Sequence, residues 1–325
     1  MCFGPILSLN TLTRLSKALP EEIADSAAYK RRFFEGEFYL KTRIISAFVG
    51  IALFVGVIAA SFYFRYTFSI FVAALNCIAA WEIFSAVKMT DKKPLLVAAM
   101  VMGAAVPFFA AAKEIIFAVC FAYIVFNFIY LIFHHKDLKM EQIMLSGGLS
   151  VIISASFSAL CRLFDMGLDG SYGFNERDGI FLVVFACASA WLADTGAYFT
   201  GVFLGKHKLC PEISPKKTIE GFVGGVVCGT GLSVLLSYIY QAAFSNGGRV
   251  NFVVVALCAF LAAFAGTLGD LTASVLKREC GIKDYGKIMP GHGGVLDRFD
   301  SVFLTAPLTY LLVEMTGAYF PIIIR

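Results

Sequence analysis

The sequence predicts an all-α, polytopic membrane protein of about nine transmembrane helices with its N-terminus in the cytoplasm. Three observations predict it. Hydrophobic residues fill 59% of the 325 positions and the mean hydropathy is +0.78, whereas soluble domains run at about 45–50% apolar. Nine apolar stretches approach the roughly 20 residues needed to span hydrocarbon: 44–64, 67–87, 94–112, 115–133, 143–164, 179–203, 219–243, 252–276 and 299–320. With the N-terminus inside, 21 Lys and Arg fall on the inner side and six on the outer, which is the bias that orients membrane helices.

Residues 1–43 form a polar arm on the cytoplasmic side. Its Lys30-Arg31-Arg32 cluster, with Lys41 and Arg43, reads as a topology signal beside anionic headgroups. No early apolar region precedes a small-residue cleavage site, so no signal peptide is expected. Residues 44–164, spans one to five, are nearly free of intramembrane charge apart from Glu82 after Trp81, and read as scaffold. The polar stretch 165–178 reads as an outside connection. Residues 179–325 hold spans six to nine, cytoplasmic loops 204–218 and 277–298, and most of the unusual chemistry. No internal repeat is visible, which disfavours a transporter built from inverted repeats. The nine cysteines show no CxxC or metal-type spacing and read as small buried hydrophobes. A net charge of +4 does not argue for nucleic acid.

Asp194 lies in span six within Trp191-Leu-Ala-Asp194-Thr-Gly196-Ala-Tyr198, and Asp270 in span eight within Gly266-Thr-Leu-Gly269-Asp270-Leu-Thr272. An unpaired carboxylate at that depth costs a few kcal/mol, so each should face a polar interior and a partner. For Asp194 a structural salt bridge is the plain alternative. Asp270 stands one turn before Ser274 and two before Lys277, so its face leads into the polar block. Asp297 and Asp300, three apart at the start of span nine, share a face beside Arg298. Asp270, Asp284, Asp297 and Asp300 thus gather among Lys277, Arg278, Lys283 and Lys287. Carboxylates with cations suit a divalent ion plus a polyphosphate: Mg²⁺ takes one or two protein carboxylates with substrate phosphates, and Lys and Arg hold the remaining oxygens.

The loop before span seven contains Ser214-Pro215-Lys216-Lys217-Thr218. Serine then proline predicts a helix N-cap and first position, which places Lys216 and Lys217 in a first turn against the helix dipole. Exposed N–H groups plus two lysines make an anion site. Gly221, Gly225 and Gly229 predict close helix packing. In Pro290-Gly-His292-Gly293-Gly294 the small residues let a ligand approach the backbone, and His292 titrates near neutrality; a structural histidine is an equal alternative.

The pattern Ser274-x-x-Lys277-Arg278-x4-Lys283-Asp284-x-Gly286, followed by His292-Gly-Gly-x-x-Asp297-Arg298-x-Asp300, resembles the signature of the phosphatidate cytidylyltransferases, or CDP-diacylglycerol synthases. Ser214–Thr218, Asp194–Tyr198 and Gly269-Asp270 are similar to the family's other landmarks, so the resemblance covers 194–301. Met289 departs from it conservatively, standing where the family carries Leu, Ile or Phe.

The resemblance implies CTP and phosphatidate as substrates, CDP-diacylglycerol and pyrophosphate as products, and Mg²⁺ bound by Asp270 and Asp297, with Asp194 a third candidate. It leaves a second, monovalent ion open. Catalytic candidates are Lys277, Arg278, Lys283, Asp284, His292, Arg298 and Asp300; nucleotide-binding candidates are Ser214, Lys216, Lys217, Thr218, Gly293 and Gly294. The expected address is the bacterial inner membrane, multi-pass, with the active site facing the cytoplasm; a homodimer is left open. The alternatives are another CTP-using lipid transferase, a polyprenol or dolichol kinase relative, and an ion-coupled transporter.

Overall fold

A backbone surrounded by hydrocarbon must satisfy its own N–H and C=O groups, and helices do so within one segment. The computed structural model describes residues 42, 45–245, 247–291, 293–317 and 322–324; the arm 1–41 and His292 lie outside the described residues. In chain order the helices are α1 (Ile45–Ser61), α2 (Thr67–Ala86), α3 (Lys93–Ala105, extended by a 3-10 turn to Phe109), α4 (Lys113–Phe133), α5 (Met140–Leu168), α6 (Glu176–Leu204), α7 (Ile219–Ala243), α8 (Phe252–Glu279), the short α9 (Leu296–Phe299) and α10 (Val302–Gly317). Two small antiparallel pairs accompany them, β1 (Lys208–Cys210) with β2 (Ser214–Thr218), and β3 (Arg249–Val250) with β4 (Ile323–Ile324).

Six helices, α2, α4, α5, α6, α7 and α8, are long and apolar enough to cross a membrane; α1, α3 and α10 are apolar but shorter. The nine expected segments are therefore helical, but six rather than nine reach spanning length among the described residues. Proline accounts for part of the shortfall. Pro107 opens the 3-10 turn that follows α3, where a missing N–H breaks the α-helical ladder.

The spacing of small residues sets how closely α6 and α7 pack. A Cβ at Gly225 would stand 2.7 Å from the Ala197 Cβ, and one at Gly229 would stand 2.8 Å from the Ala193 Cβ, so the predicted glycine ridge is a close helix–helix contact. Against this pair α8 brings Ala259, Ala262 and Ala263, all fully buried. On the other side α5 packs against both α6 and α10, and α2 against α5, which joins the scaffold helices to the later ones.

Two local expectations are corrected. Ser214-Pro215 does not open a helix: 214–218 is strand β2, and the N-cap is Thr218, whose hydroxyl accepts from the Gly221 N–H at 3.1 Å. Lysines in a first turn would oppose the dipole; the chain instead places Glu220 there. Nor does the last span begin at Phe299. Asp297 lies in α9 and Asp300 in the turn before α10, yet both carboxylates face the same cation, Lys277, as expected of residues three apart.

Candidate active site

Three carboxylates on three elements converge. Asp194 from α6, Asp270 from α8 and Asp300 from the turn before α10 lie within one another's field, and Lys217, Lys277 and Arg298 lie around them. Strand β2 delivers Lys217, whose Nζ stands 2.5 Å from Asp270 Oδ2. Lys277, two turns beyond Asp270 on α8, contacts Asp297 Oδ1 at 2.8 Å and Asp300 Oδ2 at 3.9 Å. Lys217 thus pairs with one member of the carboxylate trio, and Lys277 lies beside another.

Asp297 is engaged by protein groups at both oxygens. Its Oδ1 accepts from Lys277, while Oδ2 accepts from the backbone N–H of Tyr285 at 2.8 Å and of Gly294 at 3.0 Å. Fully buried and engaged at both oxygens, it ties the two ends of the 285–294 segment together. Tyr285 completes the knot: its hydroxyl donates to the Ala273 carbonyl at 3.2 Å and Lys277 Nζ sits 5.5 Å from its ring centre. Burial first, and then the surrounding anions, push the Tyr285 phenol above its ordinary range, so it remains a donor.

A second buried carboxylate was hidden in the scaffold. Glu82 of α2, 1% exposed, accepts from the N–H groups of Val295 at 2.9 Å and Leu296 at 2.8 Å. Together Glu82 and Asp297 engage the consecutive backbone donors of 294, 295 and 296, the entrance to α9, where acidic groups are favoured by the dipole. Gly286 and Gly294 have no side chain because the Glu82 carboxylate occupies that space. The signal in the sequence is that Glu82 is the sole charged residue between 67 and 87; its partner, more than 200 positions away, is not readable there.

The other candidates divide by exposure. Lys216, Arg278, Lys283, Asp284 and Arg298 are exposed. Arg278 donates to its neighbouring Ile282 carbonyl at 3.4 Å, and the Arg298 carbonyl accepts from the Trp191 indole at 3.3 Å. In β2 the alternation of side chains separates Lys216 from Lys217, and Ser214 lies at its start, opposite Cys210. Thr218 serves as the cap. Gly293 adopts φ +88° and pairs with Met289, a conformation that favours glycine, and it closes the 289–293 turn. His292 lies outside the described residues.

Among the described residues no three His, Cys, Asp or Glu side chains form a closed metal-ligand group. A divalent ion here needs further ligands from a substrate, which is how Mg²⁺ is ordinarily held. The carboxylates that could contribute are Asp270 and Asp297, each paired with a lysine, with Asp194 and Asp300 beside Asp270.

The family model described as the cytidylyltransferase family matches residues 41–316. The phosphatidate cytidylyltransferase of Staphylococcus epidermidis strain ATCC 12228 is 43% identical over 152 residues, 46% of this chain and 56% of that protein. That of Staphylococcus haemolyticus is 41% identical over the same shares, and that of Bacillus subtilis strain 168 is 41% identical over 140 residues, 43% of this chain and 50% of the relative. The chain spans about half the length of the curated relatives it matches.

Proposed function

The chain belongs to the cytidylyltransferase family, and from that premise we propose that it transfers CMP from CTP to phosphatidate, giving CDP-diacylglycerol and pyrophosphate. The observation that carries this reading is the meeting of Asp194, Asp270 and Asp300 with Lys217 and Lys277 among apolar helices. A phosphate oxygen of phosphatidate, ionised at neutral pH, forms a bond to the α-phosphorus of CTP as the bond to pyrophosphate breaks. No general base or covalent nucleophile is required, so the protein's task is positioning and charge stabilisation.

Mg²⁺, held by Asp270 with Asp297, Asp194 or Asp300, would supply charge neutralisation at the phosphates. Lys217 and Lys277, held in place against carboxylates, are ammonium donors for phosphate oxygens; Asp297 and Glu82 fix the loop that carries Gly293, Gly294 and the exposed Lys283. The lipid's acyl chains remain in the bilayer. The excess of Lys and Arg on that side supports a cytoplasmic site, and the bacterial relatives support a bacterial cell membrane.

Incubation of purified protein with α-labelled CTP, phosphatidate and Mg²⁺ tests the reading. Label recovered in CDP-diacylglycerol, with release of pyrophosphate, is the expected result. Transfer of the γ-phosphate instead would make the chain a lipid kinase. Cysteine placed at Lys287 should label from the cytoplasmic side only.

A further inference from the structure

A cavity of about 540 Å³ lies between α2 and the 282–288 segment, lined among others by Trp81, Glu82, Ser85, Lys283, Asp284 and Lys287. None of Asp194, Asp270 and Asp300 lines it, yet the segment that forms one wall is the one Asp297 and Glu82 hold in place. Resting on the reading of the chain as a CTP-using transferase, we propose that this cavity binds the cytidine part of the nucleotide, with the Trp81 indole as the stacking surface for the base.

The lining separates the possible occupants. A volume of this size falls in the range of small-ligand sites, about 300–1,000 Å³. The negative charge of Glu82 and Asp284 disfavours a triphosphate inside it. Glu82 is already engaged by Val295 and Leu296, so the exposed Asp284 is the acceptor for the exocyclic amine of a neutral base, and Ser85 suits ribose or base oxygens. Lys283 and Lys287, both exposed, line the same cavity and are cations for the phosphates attached to the nucleoside. Trp81 is 47% exposed although its neighbour Glu82 is fully buried, so an indole face is available. Every base has a π-face that an aromatic ring can stack against.

The chain has only two tryptophans, Trp81 and Trp191, and the test uses both. CMP, which carries the base but no triphosphate, is titrated into full-length protein in detergent while tryptophan fluorescence is recorded. The quench should persist in Trp191→Phe and vanish in Trp81→Phe. Phosphatidate micelles and inorganic pyrophosphate should leave the Trp81 signal unchanged, and uridine monophosphate should bind more weakly than CMP. In turnover assays Trp81→Ala should raise the KM for CTP by about ten- to a hundredfold with kcat and the KM for phosphatidate nearly unchanged. Ser85→Trp, which fills the cavity, should do the same while sparing the scaffold contacts below it. Unchanged fluorescence of Trp191→Phe at saturating CMP, or wild-type KM for CTP in Ser85→Trp, in protein that makes CDP-diacylglycerol, overturns the cavity assignment alone. Wild-type protein that transfers no CMP at all overturns the reading on which it rests.

Discussion

The scaffold helices α2 to α5 and the site helices α6 to α10 solve the same problem, polar groups within an apolar fold, in different ways. In the scaffold the buried polar side chains are mostly neutral and return their hydrogen bonds to backbone carbonyls. Asn76 donates to Gly103 at 2.9 Å, Asn127 to Tyr123 at 2.8 Å, and Ser150 to Ser146 at 2.7 Å. The site region has such neutral groups too, Ser237 donating to Ser233 and Thr305 to Ala262, but adds charged groups that answer one another: Lys217 to Asp270, Lys277 to Asp297 and Asp300. Neutral groups satisfied on their own or a neighbouring helix hold a fold rigid, whereas charges held by other charges can exchange partners when an anionic substrate arrives. Glu82 crosses the divide. It is a scaffold residue whose two hydrogen bonds both go to the site loop, so the inert half sets the height of the reactive one.

The comparison breaks first at Asp270. Asp270→Asn, which leaves Lys217 without its carboxylate partner, should reduce turnover by about 10²–10³-fold or more in protein that still inserts. Combining it with Asp300→Asn should add little, as for residues that act as a unit. Turnover measured against Mg²⁺ concentration decides; multiplicative losses would show that the two carboxylates work independently.

Asp297 and Asp300 sharpen it, because only one of them is a strut. Asp297→Asn should destabilise the protein by about 3 kcal/mol, since a buried ion pair loses one charge. Asp300→Asn should cost activity with little loss of melting temperature. Thermal melts in detergent beside turnover would separate the two, and equal melting of both variants would remove the distinction drawn between them.

Glu82 tests whether the scaffold reaches the chemistry. Glu82→Gln keeps one acceptor but turns an amide N–H toward the second backbone donor, at a cost of about 1–3 kcal/mol. Gly294→Ala, which forces a methyl group against the same carboxylate, should reproduce it. The expected signature is a fall in kcat of about tenfold with the KM for phosphatidate retained; a change in melting temperature with normal kcat would leave Glu82 purely structural.

The smallest effect distinguishes two adjacent lysines. Lys217→Ala should raise the KM for CTP by about ten- to a hundredfold, the worth of one charge-assisted hydrogen bond of roughly 1.5–3 kcal/mol. Lys216→Ala, an exposed residue on the alternate face of β2, should change it less than threefold, as ordinary surface substitutions do. Equal effects would return both lysines to a common anion site.

The helical class, the positions of the apolar segments and the concentration of chemistry after residue 179 were legible because each rests on local quantities: hydropathy over about 20 residues, charge between segments, and glycine spacing on one helix. The Gly225 and Gly229 contacts with α6 follow from that spacing alone. Asp270 and Lys277 were legible for the same reason, being two turns apart on one helix. What the sequence could not decide is which carboxylate meets which cation across elements. Whether 214–218 becomes strand or helix depended on Glu220 and the Thr218 cap, and that choice sent Lys217 to Asp270 and Lys216 to solvent. Asp297, twenty positions from Lys277, and Glu82, more than two hundred from Leu296, acquired their roles only when the 285–296 segment folded back onto α2 and α8. A pairing between buried charges is fixed by three-dimensional proximity and by the cost of leaving either one alone, and neither quantity is written in the order of residues.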